Sequence, residues 1–254
     1  RQPVDHPEQY EAVICNGLFL YTPIEKFTNL KYIQLTSAGM DRVPLDYIHV
    51  HGITIHNARG VYSVPMAEFA ICGVLQLYKQ SRFFTDNQRQ HRWEKHRGLL
   101  ELCGKNVCII GCGSVGTECA KRFSAFGCHV IGVDLHPCED AAYEVVHSIG
   151  ALLPTLACAD VVVLTLPLTD ETRHLIDRTA LAAMKPGAIL INIARGAIVD
   201  TDALIEALTT HLGGAVLDVF EEEPIDQTSP LWDLENVILT PHNSFVGDRN
   251  LERM

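Results

Sequence analysis

From residue 107 to residue 239 the chain repeats one pattern: a strand-sized apolar run, a polar turn, then a segment with helical spacing. The apolar runs fall at 107–110, 129–133, 151–153, 161–166, 188–193, 215–219 and 237–239. Helix-like segments at 115–126, 140–148, 173–183 and 201–210 separate most of them. The runs lack polar alternation, so both faces of each strand must be covered. Strands of that kind, alternating with helices, predict a parallel sheet with helices on both sides. Within 115–126, Val115, Cys119 and Phe123 form one i, i+4, i+8 stripe suited to packing against such a sheet.

Residues 1–60 read differently. Short apolar runs at 12–15, 32–35 and 53–55 sit between polar turns, which predicts a small alternating α/β unit. At 64–79 the pattern turns helical: Pro65 suits a first helical turn, and Phe69, Cys72, Val74, Leu75 and Tyr78 recur at helix spacing. This helix is expected to link two domains. Segment 83–100 is rich in Arg, His and Gln and should be exposed or interfacial.

Composition excludes several classes. With 254 residues and 47% hydrophobic content the chain can build real cores. No apolar run approaches the roughly 20 residues of a membrane helix. A net charge of −11 argues against nucleic-acid binding. Nine cysteines, an odd number without a C-x-x-C pair, predict free thiols in a reducing cytoplasm rather than disulfides or a metal site. Cys72, Cys108, Cys119 and Cys128 lie in apolar runs and are expected to be buried.

The turn after 107–110 reads Gly111-Cys112-Gly113-Ser114-Val115-Gly116, a G-x-G-x-x-G between a strand and a helix. In that context the first glycine allows a tight turn. The second lets backbone approach a diphosphate, and the third lets helix and strand pack closely. The helix N-terminus adds unpaired N–H groups and partial positive charge, so an acidic protein can hold a dinucleotide here. Asp134 ends the next strand, 18 residues after Gly116, and no Arg follows in Leu135-His136. A carboxylate there can accept both adenosine ribose hydroxyls and would repel a 2′-phosphate, which favours NAD over NADP.

Three more strand ends carry polar groups. Arg195 follows 188–193, the acidic run ending in Glu223-Pro224 follows 215–219, and His242 follows 237–239. Ligands of open α/β sheets bind beyond the carboxyl ends of the strands. Arg, Glu and His at three successive ends supply a carboxylate-binding cation, a general acid/base and a partner that favours the charged imidazole. Hydride transfer to a 2-keto acid needs that set.

With these residues in view, the chain resembles the D-isomer-specific 2-hydroxyacid dehydrogenases, a family that includes the phosphoglycerate dehydrogenases. GCGSVG with Asp134, LPLTDETRHLID (166–177), MKPGAILINIARGAIVD (184–200), LDVFEEEP (217–224) and TPHNS (240–244) occur in family order. The resemblance implies two flavodoxin-like or Rossmann-like α/β domains with doubly wound parallel sheets and an active site in the cleft between them. The substrate domain would comprise 1–75 with 244–254, and the NAD-binding domain 76–243. The family pattern also has a strand ahead of residue 1 and a closing helix beyond the end, and the chain opens at Arg1 rather than Met; further sequence is expected at both ends.

By the same resemblance, Arg195 binds the substrate carboxylate, Glu223 partners the acid/base His242, and Asp218 holds the nicotinamide carboxamide. Ile193, Ala194, His242 and the loop with Leu166, Pro167 and Thr172 line the cofactor beside Gly111, Gly113, Ser114, Val115, Gly116 and Asp134. Ala38 and Gly39, in the loop from Ser37 to Asp41, receive the substrate carboxylate on backbone N–H groups. Asn16 and Gly17 sit where the family reads the substrate side chain, and Asn57 and Glu68 flank the start of the linking helix. The implied partners are a small 2-keto or 2-hydroxy acid and a second copy of the chain, with no membrane, nucleic acid or metal. The same family includes NAD(H)-sensing binding proteins, which is the alternative reading. Formate dehydrogenases of the superfamily carry Gln where Glu223 stands.

Overall fold

The computed structural model describes residues 4–254. The chain forms two compact units, one running to Tyr62 and including Gly247–Met254, the other spanning Ser63–Val246.

The first unit holds β1 (Ala12–Cys15), β2 (Tyr32–Leu35), α1 (Leu45–Val50) and β3 (Thr54–His56). The strands form a parallel sheet in the order β1-β2-β3. Along β2 the side chains alternate: Ile33 and Leu35 are buried while Tyr32 is exposed, as a strand covered on one face requires. Ile33 and Leu35 pack with Ile24, Phe27, Ile48 and Ile53 into a core of their own.

The second unit holds α2 (Ser63–Tyr78), α3 (Ser81–Arg89), β4 (Asn106–Ile110), α4 (Ser114–Ala125), β5 (His129–Asp134), β6 (Val145–Ser148) and α5 (Leu152–Leu156). It continues through β7 (Val161–Leu164), α6 (Arg178–Ala183), β8 (Ile189–Asn192), α7 (Thr201–Thr210), β9 (Gly214–Leu217) and β10 (Val237–Leu239). Seven parallel strands run in the order β10-β9-β8-β7-β4-β5-β6. Every residue of β7, β8 and β9 is buried, which explains their unbroken apolar runs. One sheet face packs Ile109, Val163, Ile191 and Val216 with Cys119 and Phe123 of α4 and Ala67, Ala70 and Val74 of α2. The other packs Cys108, Val162, Leu164 and Leu190 with Leu181 of α6 and Leu204 of α7. Among the described residues, no helix is long and apolar enough to cross a membrane.

Several local expectations change. The unit boundary falls at 62/63 rather than 75/76, because the small buried face of α2 belongs to the second core. A Cβ on Gly73 would lie 2.7 Å from Val216, so α2 lies almost on the sheet. The helix expected at 140–148 gives way to β6, an edge strand pairing with β5. The strand expected at 151–153 is instead a turn leading into α5, where Leu152 and Leu156 are buried one helical turn apart. The helix expected from 173 begins at Arg178, since the Asp177 side chain accepts from the Ala180 N–H at 2.8 Å as its cap. Residues 170–174 before it form turns, and Ile176 bridges to Val199. Cys108, Cys119 and Cys128 are buried, but Cys72 is exposed on the outer side of α2.

Asp160 ties the amino edge of this sheet. It accepts from the Asn106 backbone N–H at 2.9 Å and from Lys185 Nζ at 2.6 Å. Burial pushes its carboxyl upward, but the Lys185 and Asn106 bonds outweigh that and hold it below the ordinary carboxylate value. A lowered folded-state value means stability that is present above the unfolded pKa and is lost as pH falls through the folded one. Asp160→Asn should therefore flatten the loss of stability below about pH 4, measured by urea unfolding at stepped pH. An unchanged acid limb would remove Asp160 from this role.

Candidate active site

The sheet order turns scattered sequence positions into one row. Read along β10-β9-β8-β7-β4-β5, the carboxyl ends lead into His242, the Asp218–Glu223 turn, Arg195, the 166–172 loop, the glycine loop and Asp134. The strands are in register at that edge: Leu239 pairs with Leu217, Leu217 with Asn192, Asn192 with Leu164, Leu164 with Ile110, and Ile110 with Val133. The chain reverses its direction of progress between β7 and β4, the topological switch point where such sheets bind ligands.

At that point each glycine has a distinct reason. Gly111 has φ +95°, and a Cβ there would lie 2.6 Å from the Leu166 nitrogen. A Cβ on Gly116 would come within 2.1 Å of the Gly111 carbonyl oxygen. A Cβ on Gly113 would meet nothing within 4 Å, so the missing side chain leaves an open cradle where α4 begins. Gly113 offers no side chain to cap α4, so the first-turn N–H groups at Ser114 and Val115 keep a pole of positive charge toward the cradle. Thr165 Oγ1 donates to the Gly111 carbonyl at 2.5 Å and braces the turn from β7. Asp134 flanks it: one oxygen accepts from the Cys112 N–H at 2.6 Å and the other from the His136 N–H at 2.8 Å. Each oxygen keeps a second lone pair for a hydroxyl donor. These residues fit a dinucleotide, with a diphosphate against Gly113 and a ribose at Asp134. Cys112 is pushed up to about 12, chiefly by burial, so it is a neutral thiol here.

His242 and Glu223 lie at the other end of the row. Glu223 Oε2 sits 2.8 Å from His242 Nδ1, and Glu223 Oε1 accepts from the Phe220 N–H at 3.1 Å. His242 adopts φ +51°, an uncommon conformation for a residue with a side chain. Asp218, fully buried, holds it there. Its carboxylate accepts from Thr240 Oγ1 at 2.6 Å, the Asn243 N–H at 2.7 Å and the Ser244 N–H at 2.8 Å, on both sides of His242. The His242 N–H also donates to the Asp218 carbonyl at 2.8 Å.

Arg195 follows β8 on a turn wedged by buried Asn192. The Asn192 side chain donates to the Arg195 carbonyl at 3.0 Å and accepts from the Ala194 N–H at 3.1 Å. Arg195 Nη1 donates to the Ala194 carbonyl at 2.8 Å. In the 166–172 loop, Thr172 is buried and braces the loop internally: its hydroxyl donates to the Pro167 carbonyl at 2.8 Å and accepts from the Thr169 N–H at 2.7 Å. Ile193, Ala194 and Leu166 are buried as well.

In the first unit the corresponding residues also follow strand ends. Asn16 and Gly17, the latter at φ +67°, leave β1. The turn with Ala38 and Gly39 leaves β2, and Asn57 leaves β3. Asn57 Nδ2 donates to the Ala38 carbonyl at 2.7 Å, and the Ala58 N–H donates to the Ser37 carbonyl at 3.0 Å. Asn192, Thr240 and the Phe220 N–H are supporting groups that sequence reading missed. Only Asn192 carried a signal, as an amide closing an otherwise apolar run.

A family model described as D-isomer specific 2-hydroxyacid dehydrogenase, NAD binding domain, matches residues 71–244. The (S)-sulfolactate dehydrogenase of Chromohalobacter salexigens is 37% identical over 91% of this chain and 76% of its own length. The D-3-phosphoglycerate dehydrogenase of Methanocaldococcus jannaschii is 37% identical over 86% of this chain, which spans 42% of that protein. A crystal structure of D-lactate dehydrogenase from Aquifex aeolicus, complexed with NAD and lactic acid, aligns with a TM-score of 0.82 at 30% identity, covering 97% of this chain and 80% of that one.

The glycines separate binding from folding. Gly113→Ala should leave the melting temperature unchanged and weaken NADH binding at least about tenfold, because its Cβ enters only the cradle. Gly116→Ala should destabilise the fold by about 1–3 kcal/mol through overpacking. Calorimetry with NADH titration checks both; equal effects of the two variants on folding would refute the distinction.

Proposed function

Because the chain belongs to the D-isomer-specific 2-hydroxyacid dehydrogenases, NAD-dependent oxidoreductases, we propose that His242, Glu223 and Arg195 carry out the interconversion of a small 2-keto acid and its D-2-hydroxy acid. The observation that supports this most directly is the 2.8 Å contact between Glu223 Oε2 and His242 Nδ1. NAD, when bound, accepts the hydride in one direction and, as NADH, delivers it in the other.

Glu223 accepts from Nδ1–H, which leaves Nε2 to give or take the proton of the substrate oxygen. The resulting imidazolium is balanced by the adjacent carboxylate. Asp218 is proposed to hold the nicotinamide carboxamide, and it also acts through the 240–244 turn, aiming the ring by holding the backbone on either side of it. Arg195 presents a planar fork to the substrate carboxylate and draws electron density from the neighbouring carbonyl. In the first unit, Asn16, Gly17, Ala38 and Gly39 are proposed to contact the substrate, the last two through backbone N–H groups. Gly111, Gly113, Ser114, Val115 and Gly116 take the cofactor diphosphate, Asp134 takes ribose hydroxyls, and Leu166, Pro167, Thr172, Ile193 and Ala194 line the remainder. The named relatives share a 2-hydroxy acid head and differ beyond it, so the head is what these residues recognise.

A second copy is the further partner in this reading. Trp93 is 99% exposed, and Leu99, Leu100 and Phe84 are exposed near it in sequence. Ile71, Leu75 and Phe126 line a groove on the second unit. That much exposed apolar surface is more than a solvated face needs. All nine cysteines are free, which supports a cytoplasmic setting.

Steady-state assays with NADH and a panel of 2-keto acids test the reading. His242→Ala should lower kcat by roughly 10²–10⁴-fold while NADH still binds; wild-type turnover in that variant would overturn it. Light scattering should return twice the chain mass, and a monomer at micromolar concentration would refute the dimer.

A further inference from the structure

The acidic run before Pro224 holds three glutamates, of which only Glu223 lies against His242. Glu221 makes contacts that a solvated turn does not. Its Oε1 accepts from both the Thr201 N–H at 3.0 Å and Thr201 Oγ1 at 2.7 Å. Its Oε2 lies 2.9 Å from His174 Nε2. Thr201 opens α7, immediately after the Arg195 turn, and His174 follows the 166–172 loop. One carboxylate thus joins three loops, each carrying a different part of the site.

The backbone around it is equally tight. A Cβ on Gly196 would fall 1.8 Å from the Phe220 carbonyl carbon and 2.3 Å from the Glu221 nitrogen, so the residue after Arg195 lies directly on the Phe220–Glu221 peptide. The His174 N–H donates to the Ala197 carbonyl at 2.9 Å, and the Ile176 N–H to the Ile198 carbonyl at 3.0 Å. Phe220, the residue before Glu221, supplies the N–H that holds Glu223 Oε1. Burial pushes the Glu221 carboxyl up, but the Thr201 and His174 bonds outweigh it and hold it below the ordinary value. The group is therefore a full carboxylate at neutral pH.

We propose that Glu221 is a positioning residue: by clamping Thr201 and His174 it fixes the Phe220–Glu223 turn, and through that turn sets Glu223 against His242. Its contacts are with Thr201 and His174. The inference rests on Glu223 and His242 being the acid/base pair. A positioning residue of this kind, unlike a general stabiliser, acts on turnover through the Glu223 carboxylate, to which it is linked by the Phe220 N–H.

The test is a double-mutant cycle in the full chain. Glu221→Ala and Glu221→Gln are each made in the wild type and in Glu223→Gln, with kcat, KM for NADH and melting temperature measured. A misplaced acid/base pair predicts a kcat loss of about tenfold for Glu221→Ala, with KM for NADH unchanged. Glu221→Gln, which keeps an acceptor for Thr201, should restore part of that loss. In the Glu223→Gln background either substitution should change kcat by less than about twofold, since coupled residues are not additive. Equal losses in both backgrounds, or wild-type kcat in folded Glu221 variants, would overturn the proposal. If Glu221→Ala fails to fold, Glu221→Gln carries the same comparison. Failure of the underlying reading looks different: Glu223→Gln alone would then turn over like the wild type.

Discussion

A fully buried carboxylate is tolerated only where donors converge on it, and Asp218 imposes that condition at the end of β9. Its side chain receives the Thr240 hydroxyl and the Asn243 and Ser244 N–H groups. Meeting that demand fixes the turn after β10 residue by residue, and His242 sits inside it. Glu223 can reach the imidazole only because the ring is already held, and the Phe220 N–H keeps the carboxylate facing it. The proposed acid/base geometry therefore begins with a charge-bearing group that faces the protein rather than the solvent.

The parallel sheet does for the whole site what Asp218 does for one turn. Register between neighbouring strands brings their carboxyl ends level, so residues up to 131 positions apart in sequence, such as Gly111 and His242, lie along one edge of the same sheet. Small residues then set how closely loops may approach. Gly111, Gly116 and Gly196 are each placed where a Cβ would strike backbone, whereas Gly113 faces open space.

The second sheet was legible in the sequence because its central strands are buried on both faces, and unbroken apolar runs are the direct imprint of that burial. The glycine loop was legible because its context, strand before and helix after, restricts what the glycines can mean. Edge strand β6 was not, since half-exposed Val145–Ser148 lacks both an apolar run and clean alternation. The run at 151–153 misled for the complementary reason: a short apolar run at the start of a one-turn helix has no room to show its period. The limits of α2 were readable, but not its allegiance, which depends on Gly73 and Val216 meeting across 143 positions of sequence. The hydrogen bonds that aim Arg195 and Glu223 end on backbone N–H and C=O groups, which nearly every residue carries and which sequence patterns mark poorly.

If His242 is the proposed acid/base, its left-handed backbone, φ +51°, sets fold and activity against each other at one position. For an L-residue that conformation costs roughly 1–2 kcal/mol, and glycine would adopt it without strain. A population of variants selected for heat resistance alone would drift toward glycine at 242 and lose the imidazole. The histidine thus sits against the preference of its own peptide unit, and under the proposed role residue 242 is a place where gains in thermal tolerance and retention of chemistry oppose one another.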